Sequence, residues 1–461
     1  MLEYSTPRGF GVQDSGDRLV PSDDGEYYPA MAERRDPPRI HLTSLGCAKN
    51  LVDSEHLLAR LGLAGALVGA PPDEADILIV NTCGFIEAAK RESLEVIRRL
   101  AAEAKTSPER RVFVMGCLVN RSEAALRAEL PEVDRFFRLD DQASIVAACG
   151  LGESPEEEAR LLLTPPHTAF LRISEGCDNR CTYCTIPTIR GPFRSRAPEA
   201  ILREAEDLVA GGVQELNLIG QDTTSYGRDL GGIVTVDRLV RELAQIKDLR
   251  WIRLLYAHPA HVTDGLIRTF AEVRKLCPYV DLPLQHLDDE ILARMGRRVT
   301  QQQTLDLIDR LRREIPDLAL RTTFIVGFPG ETEAQFETLL RLVRELRFDH
   351  LGAFAYSREP GTPAADLPGQ VSKAEKERRV EELMLVQQEI AFDALRARIG
   401  ERIEVLIDTV EEDVSIGRTA RQAPDVDGIT RVPGPPLSPG SFVDAVVVGA
   451  DGYDAVAEVS R

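Results

Sequence analysis

From Arg39 onward this chain repeats one order, a short apolar run, a loop and an amphipathic stretch, and that order limits it to parallel sheets flanked by helices. Three runs open the series, Ile40 to Cys47, Asp76 to Cys83 and Arg111 to Cys117, with helical stretches Asp53 to Leu63 and Ile86 to Ala104 between them. Right-handed crossovers put the C-terminal ends of parallel strands on one edge of their sheet. Cys47, Cys83 and Cys117, spaced by 36 and 34 residues, are therefore expected to meet at that edge, where parallel sheets bind ligands. A free cysteine is often simply buried, but a core cysteine has no reason to fall at a strand-to-loop junction three times. The spacing points to a three-thiolate iron-sulfur site. Cys149 and Cys277 show no such placement and read as structural.

Gly150 to Pro166 is Glu-rich and contains Pro165-Pro166, the composition of a linker. The alternation then resumes with strands Ala169 to Ser174, Glu215 to Gly220, Trp251 to Ala257, Tyr279 to Leu284, Leu318 to Gly327 and Leu351 to Tyr356, six repeats that predict an open, partial (β/α)6 barrel. Pro198 opens one helix, Gly211-Gly212 closes it, and Thr332 with Gln335 forms a capping box. A charged helix over Ser372 to Ala397 leads to alternating runs with Gly and Pro turns, which predict a small antiparallel β-barrel. The expected division is a disordered leader over 1–37, a parallel α/β domain over 38–150, a linker over 151–166, the partial barrel over 167–390 and the small barrel over 391–461. Met31, just before the first strand, is a candidate start.

The densest chemistry is Cys177-Asp178-Asn179-Arg180-Cys181-Thr182-Tyr183-Cys184, at the end of the first barrel strand. Three thiols so close read as one metal site. Structural zinc would want a fourth Cys or His at a second short spacing, and the nearest His, His167, precedes the strand. A zinc knuckle stays open as an alternative. Three thiolates can instead hold three irons of a 4Fe-4S cluster and leave the fourth free for a small molecule. Polar or glycine-rich loops at the same mouth, Gly220 to Thr223, Tyr256 to Pro259, Gln285-His286 and Gly327 to Glu331, offer hydrogen bonds and close backbone approach to a small polar ligand, and Gln221, Gln285 and Gly327 are nominated from them.

Composition narrows the partners. The 461 residues carry a net charge of -19, 43% hydrophobic and 28% charged residues, eight Cys, and no apolar run of membrane-spanning length, so a cytoplasmic, reducing setting is expected. That charge disfavours a general nucleic-acid binder without excluding a local basic patch, and makes a basic protein substrate attractive. Residues 401–461 hold 12 acidic and 5 basic side chains, a poor clamp for RNA.

The cysteine triplet, with aromatic Tyr183 before its last member, resembles the signature of the radical S-adenosylmethionine (radical SAM) superfamily. That resemblance implies SAM chelated at the open iron and cleaved on one-electron reduction to a 5'-deoxyadenosyl radical, with Tyr183 near the cofactor. Taken with Thr43 to Asn50, Asn81 to Phe85 and Tyr356 to Pro363, the chain from about residue 38 to 461 resembles the methylthiotransferase family, whose last domain is a TRAM domain. The family resemblance implies a second 4Fe-4S cluster at Cys47, Cys83 and Cys117 that carries sulfur, a second SAM as methyl donor, an external one-electron reductant and a sulfur donor. It requires no side-chain acid or base. Leu45 to Asn50, Gly220 to Thr223 and Pro283 to His286 are similar to the branch that modifies the β-carbon of one aspartate in the twelfth protein of the small ribosomal subunit. The other branch modifies an adenosine of tRNA and is the alternative. Nucleic-acid contact is not required, but is allowed for within the ribosome.

Overall fold

The computed structural model describes residues 36–152, 159–231 and 234–460, together with the antiparallel pair Val20–Pro21 and Tyr27–Tyr28. Apart from that pair and residues 36–37, the expected leader, with Met31, lies outside the described residues, as does the middle of the expected linker. Among the described residues no helix is long and apolar enough to cross a membrane.

The first sheet is parallel throughout, in the order Leu67–Val68, Arg39–Ser44, Ile77–Thr82, Arg111–Gly116, Arg135–Phe137. Its two edge strands, of two and three residues, are too short to show a period in sequence. Alternation divides the centre cleanly. Leu78, Val80, Val112 and Val114 pack on one face with Leu94 and Ile97, whereas Ile77, Ile79, Phe113 and Met115 pack on the other with Leu57 and Leu61. The first helix runs Ala48–Leu63, five residues earlier than Asp53 suggests, because Cys47 takes the extended capping position and Asp53 is buried inside the helix as an ion-pair partner.

The second sheet is the open partial barrel, six parallel strands in sequence order: Thr168–Arg172, Glu215–Ile219, Trp251–Leu254, Leu276–Asp281, Ala319–Val326 and His350–Ala355. The third strand stops before Leu255 and the fourth ends at Asp281 rather than Leu284. There the Asp281 carboxylate and carbonyl accept from the Tyr256 and Ala257 amides, and Tyr256 turns into the left-handed region at φ 61°, which takes these residues out of the ladder. The helix Pro198–Ala210 opens on proline and closes at Gly211, and both halves of the Thr332–Gln335 capping box form.

After the helix Lys373–Ala397 the chain forms a closed five-stranded barrel. Every neighbouring pair is antiparallel except Thr430–Pro433 with Asp454–Val459. This barrel sits against the N-terminal halves of the larger barrel's strands. His167 pairs with Asp408 at 2.9 Å, the Tyr279 hydroxyl donates to Asp427 at 2.7 Å, and Gln214 donates to the Gly440 carbonyl. At the centre, fully buried Glu215 accepts from Arg418 at 2.8 Å and Arg253 at 3.1 Å. Burial alone would raise its carboxyl, but the two guanidiniums bring it down to about 2.

A carboxyl held low contributes stability that is complete above its ordinary value and disappears as pH falls through the folded one. The melting temperature of the full chain should therefore fall progressively from pH 4.5 down towards about 2. Glu215→Gln, which leaves two buried guanidiniums without their carboxylate, should lower stability by about 3–5 kcal/mol at neutral pH and flatten that acid dependence. A variant that melts like the parent at both pH values would show the pair to be dispensable.

Candidate functional site

The C-terminal edge of the first sheet gathers three turns. Cys47 precedes the first helix, Cys83 follows Ile77–Thr82, and Cys117 opens the helix Cys117–Glu129. Contacts between the turns leave no room for larger residues. A Cβ on Gly46 would lie 2.8 Å from Cys83 Cβ, and one on Gly84 would lie 2.7 Å from Leu118 Cα. One side chain ties all three turns together. Asn50 donates to the Leu45 and Thr82 carbonyls at 3.0 and 2.9 Å, and its carbonyl oxygen accepts from Cys117 Sγ at 3.2 Å. Cys47 is exposed, Cys83 half-buried and Cys117 buried, and burial pushes the Cys117 thiol up to about 12. Among the described residues no three Cys, His, Asp or Glu side chains close on one ion. A cubane differs from a single ion in spreading its thiolates over separate irons.

The triplet loop is held from several sides. Thr182 donates from its amide to Met295 O at 2.9 Å, and its own carbonyl accepts from the Ala364 amide at 2.9 Å. Asn179 donates to Asp222 at 2.8 Å, and a Cβ on Gly296 would meet Arg180 O at 2.7 Å. Burial pushes Cys177 up to about 11 and Cys184 up to about 12. Neutral thiols on one half-buried loop, with the Arg297 guanidinium 3.9 Å from Cys181 Sγ, fit a site whose thiolates form when iron binds. Burial, then Cys181, raises the Tyr183 phenol, whose ring packs edge-on to Phe328.

Arg190 joins the two cysteine sets. Its guanidinium lies 3.4 Å from Cys117 Sγ and donates to Asn50 at 2.6 Å, Asp53 at 2.9 Å and Glu175 at 3.1 Å. Arg172 reaches the same Asp53 and Glu175, two residues before Cys177. Although burial alone would raise Asp53, these guanidiniums hold its carboxyl below the usual range. Beside this clasp lies a cavity of about 580 Å³ bordered by Cys47, Tyr256, Asp281, Arg321 and the small barrel's Asp425 and Val426. Lys49, 6% exposed, rests its ammonium over the Tyr256 ring, 2.9 Å from the centroid, and burial lowers it to about 8.

The nominated polar residues separate on inspection. Gln221 donates to Glu175 at 2.8 Å, and its carbonyl oxygen is buried without a hydrogen-bond partner. Gln285 sits in the left-handed region at φ 71°, and its side-chain carbonyl oxygen is likewise unpartnered. Nearby Ser174 Oγ and Tyr356 OH are also buried without a hydrogen bond, the mark of a site built for a polar ligand and a fit to the amino-acid and ribose groups of SAM, whereas His286 Nε2 and Glu331 Oε1 face each other at 3.7 Å and Glu331 also meets Arg379 at 3.3 Å. Gly327 differs. A Cβ there would meet Lys376 Cγ at 2.3 Å, so its turn at φ 70° and the packing of Lys376 account for the glycine. Asp222, buried between the loops, accepts from Asn179, Thr224, Ser225 and His261, and these bonds hold its carboxyl well below the usual range against the opposing effect of burial. Sequence reasoning missed Asn50, Asp53, Arg172 and Arg190. Asn50 was visible as part of a motif, but nothing local marked the other three.

Residues 171–343 match the Radical SAM superfamily, 39–138 match Uncharacterized protein family UPF0004, and 399–459 match the TRAM domain. Among solved structures, the radical S-adenosylmethionine methyltransferase TsrM from Kitasatospora setae shares the fold, with a TM-score of 0.54 and 15% identity over 71% of this chain and 77% of that one. Fold and site together define a radical SAM enzyme, a class that implies a 4Fe-4S cluster and SAM. Two relatives called ribosomal protein uS12 methylthiotransferase RimO narrow it. The one from Syntrophus aciditrophicus (strain SB) is 48% identical over 91% of this chain and 98% of its own, and the one from Geobacter sulfurreducens (strain ATCC 51573 / DSM 12127 / PCA) is 46% identical over the same shares. The chain belongs to the RimO family of radical SAM methylthiotransferases.

Asp222→Ala removes the acceptor shared by Asn179, Thr224, Ser225 and His261. Leaving those donors unsatisfied should cost about 3 kcal/mol or more and loosen the triplet loop. The expected readouts are a lower melting temperature and faster alkylation of Cys177 in the metal-free chain; unchanged alkylation would show that Asp222 does not hold the loop.

Proposed function

We propose that this chain inserts sulfur and a methyl group at the β-carbon of one aspartate of ribosomal protein uS12. The observation that carries the reading is the 48% identity to a uS12 methylthiotransferase over nearly the whole length of both chains. Cys177, Cys181 and Cys184 would hold the cluster that binds SAM, with Tyr183, Gln221 and Gln285 beside the cofactor, and Cys47, Cys83 and Cys117 a second 4Fe-4S cluster. When bound, these groups supply radical hydrogen abstraction from an unactivated C–H bond, sulfur, and a methyl group.

The chain's own residues do the positioning. The Asp53, Arg172, Arg190 and Glu175 clasp supports the reading because it ties the helix that follows Cys47 and the turn of Cys117 to the strand end that leads into Cys177. Phe170, Leu255 and Tyr279 give the chamber beside that clasp apolar and aromatic walls. Gly327 enters this reading as a turn residue. No side chain is required to take or give a proton. The activity needs an external one-electron reductant and a sulfur donor, and the reading places the protein in the cytoplasm with a ribosomal protein as its partner.

The test is an anaerobic assay with reductant, sulfide and methyl-labelled SAM, offering small ribosomal subunits and bulk tRNA in parallel. Methylthio label on a uS12 aspartate is the expected result, and label on a tRNA adenosine would move the chain to the other branch. Cys181→Ala should abolish 5'-deoxyadenosine formation. Cys83→Ala, and Gly84→Ala through its clash with the Leu118 backbone, should keep that cleavage while losing bound iron and methylthiolation. Undiminished methylthiolation in Cys83→Ala would remove the second cluster from the scheme.

A further inference from the structure

A carboxylate drawn out of water into a protein cavity needs a cation to meet it. Of the cations on and behind the wall of the 580 Å³ chamber, Arg321 on the wall is engaged with Asp281 at 3.0 Å, and Arg172 and Arg190 behind it with Asp53 and Glu175. Lys49 is the exception. Among the described residues no carboxylate lies within ion-pair distance of its ammonium and no hydrogen bond is made to it; it rests only on the face of Tyr256. That ring borders the chamber, and its backbone is held at φ 61°, a region a tyrosine seldom occupies. The ammonium lies within electrostatic reach of Cys47, Arg190, Asp281 and Glu175. A buried ammonium so placed, with only a ring beneath it, is a receptor for an anion.

We propose that Lys49 binds the side-chain carboxylate of the target aspartate and is the residue that selects aspartate over uncharged side chains. The inference rests on the uS12 reading above and deepens it. Chemistry explains why the contact matters: the reacting β-carbon is bonded directly to the carboxyl carbon, so a cation that fixes the carboxylate fixes the C–H bond to be broken. Tyr256 holds the ammonium in place before the substrate arrives, so little reorganisation accompanies binding. A substrate with asparagine at the target has the same size but leaves Lys49 without its counter-charge.

The experiment uses the full chain, reconstituted anaerobically, and two forms of uS12, one native and one with asparagine at the modified position. Binding is read by anisotropy of labelled uS12, and methylthiolation and 5'-deoxyadenosine formation are followed in parallel. The wild type should bind the native form roughly 10- to 100-fold more tightly than the asparagine form. In Lys49→Met, with iron content and melting temperature unchanged, the two forms should bind alike; in Lys49→Arg the preference should persist. Lys49→Met that keeps the full preference, or weakens both forms equally and so leaves it intact, would overturn the assignment. An asparagine form that competes as well as native uS12 for the wild type would overturn it without any enzyme variant. A wild type that leaves every uS12 aspartate unmodified would instead bring down the uS12 reading, and this inference with it, a failure told apart because it is seen in the parent enzyme.

Discussion

One buried carboxylate organises the site. Asp53, on the first helix, sits between Arg172 on the first barrel strand and Arg190 behind the triplet, and Glu175 closes the ring by accepting from both guanidiniums. Removing these groups from water is expensive, and the cost is offset only when every charge meets its complement in good geometry. The arrangement therefore admits little slack between the two sheets. It sets the turn that carries Cys117 against the loop that starts at Cys177, because Arg190 contacts the first and Glu175 leads into the second.

Around that clasp the protein departs from local preference where a ligand would sit. Tyr256 and Gln285, at the ends of neighbouring barrel strands, both hold positive φ, and several buried polar atoms beside them lack partners. Local rules are kept in several other elements: the helices after Thr300 and Thr332 start at capping threonines, Pro198–Ala210 closes at Gly211, and Ile77–Thr82 is buried on both faces. Strain and unsatisfied polarity at this mouth are tolerated because the packing of the opposite end is strong. There the small barrel closes the base of the larger one through Glu215, Arg253 and Arg418 and fills it with Leu406 and Ala423.

Much of this was legible in the chain and some was not. The order of the barrel strands and the helix punctuation were readable because apolar period and cap chemistry are local. The start of the first helix was misplaced because Asp53 looks like a helix opener and is instead a partner for Arg190, 137 residues away. The third and fourth barrel strands run short because Asp281 draws the Tyr256 amide out of the ladder, a bond no period reveals. Gly327 combines a left-handed turn with close packing against Lys376 on the long helix, a contact that no local pattern shows. The single parallel pairing in the small barrel, between Thr430–Pro433 and Asp454–Val459, depends on closure and not on the alternation of either strand.

The sequence by itself determined the alternation of strand and helix, and therefore parallel sheets whose strand ends carry six cysteines, since side-chain period and backbone handedness act over a few residues. Only the tertiary structure decided which charges meet. Asn50 spanning three turns, Arg190 linking Cys117 to Glu175 ahead of the triplet and Lys49 left with nothing but a ring beneath it are products of contacts between distant segments, where burial makes an ion's partner matter far more than its neighbours in the chain.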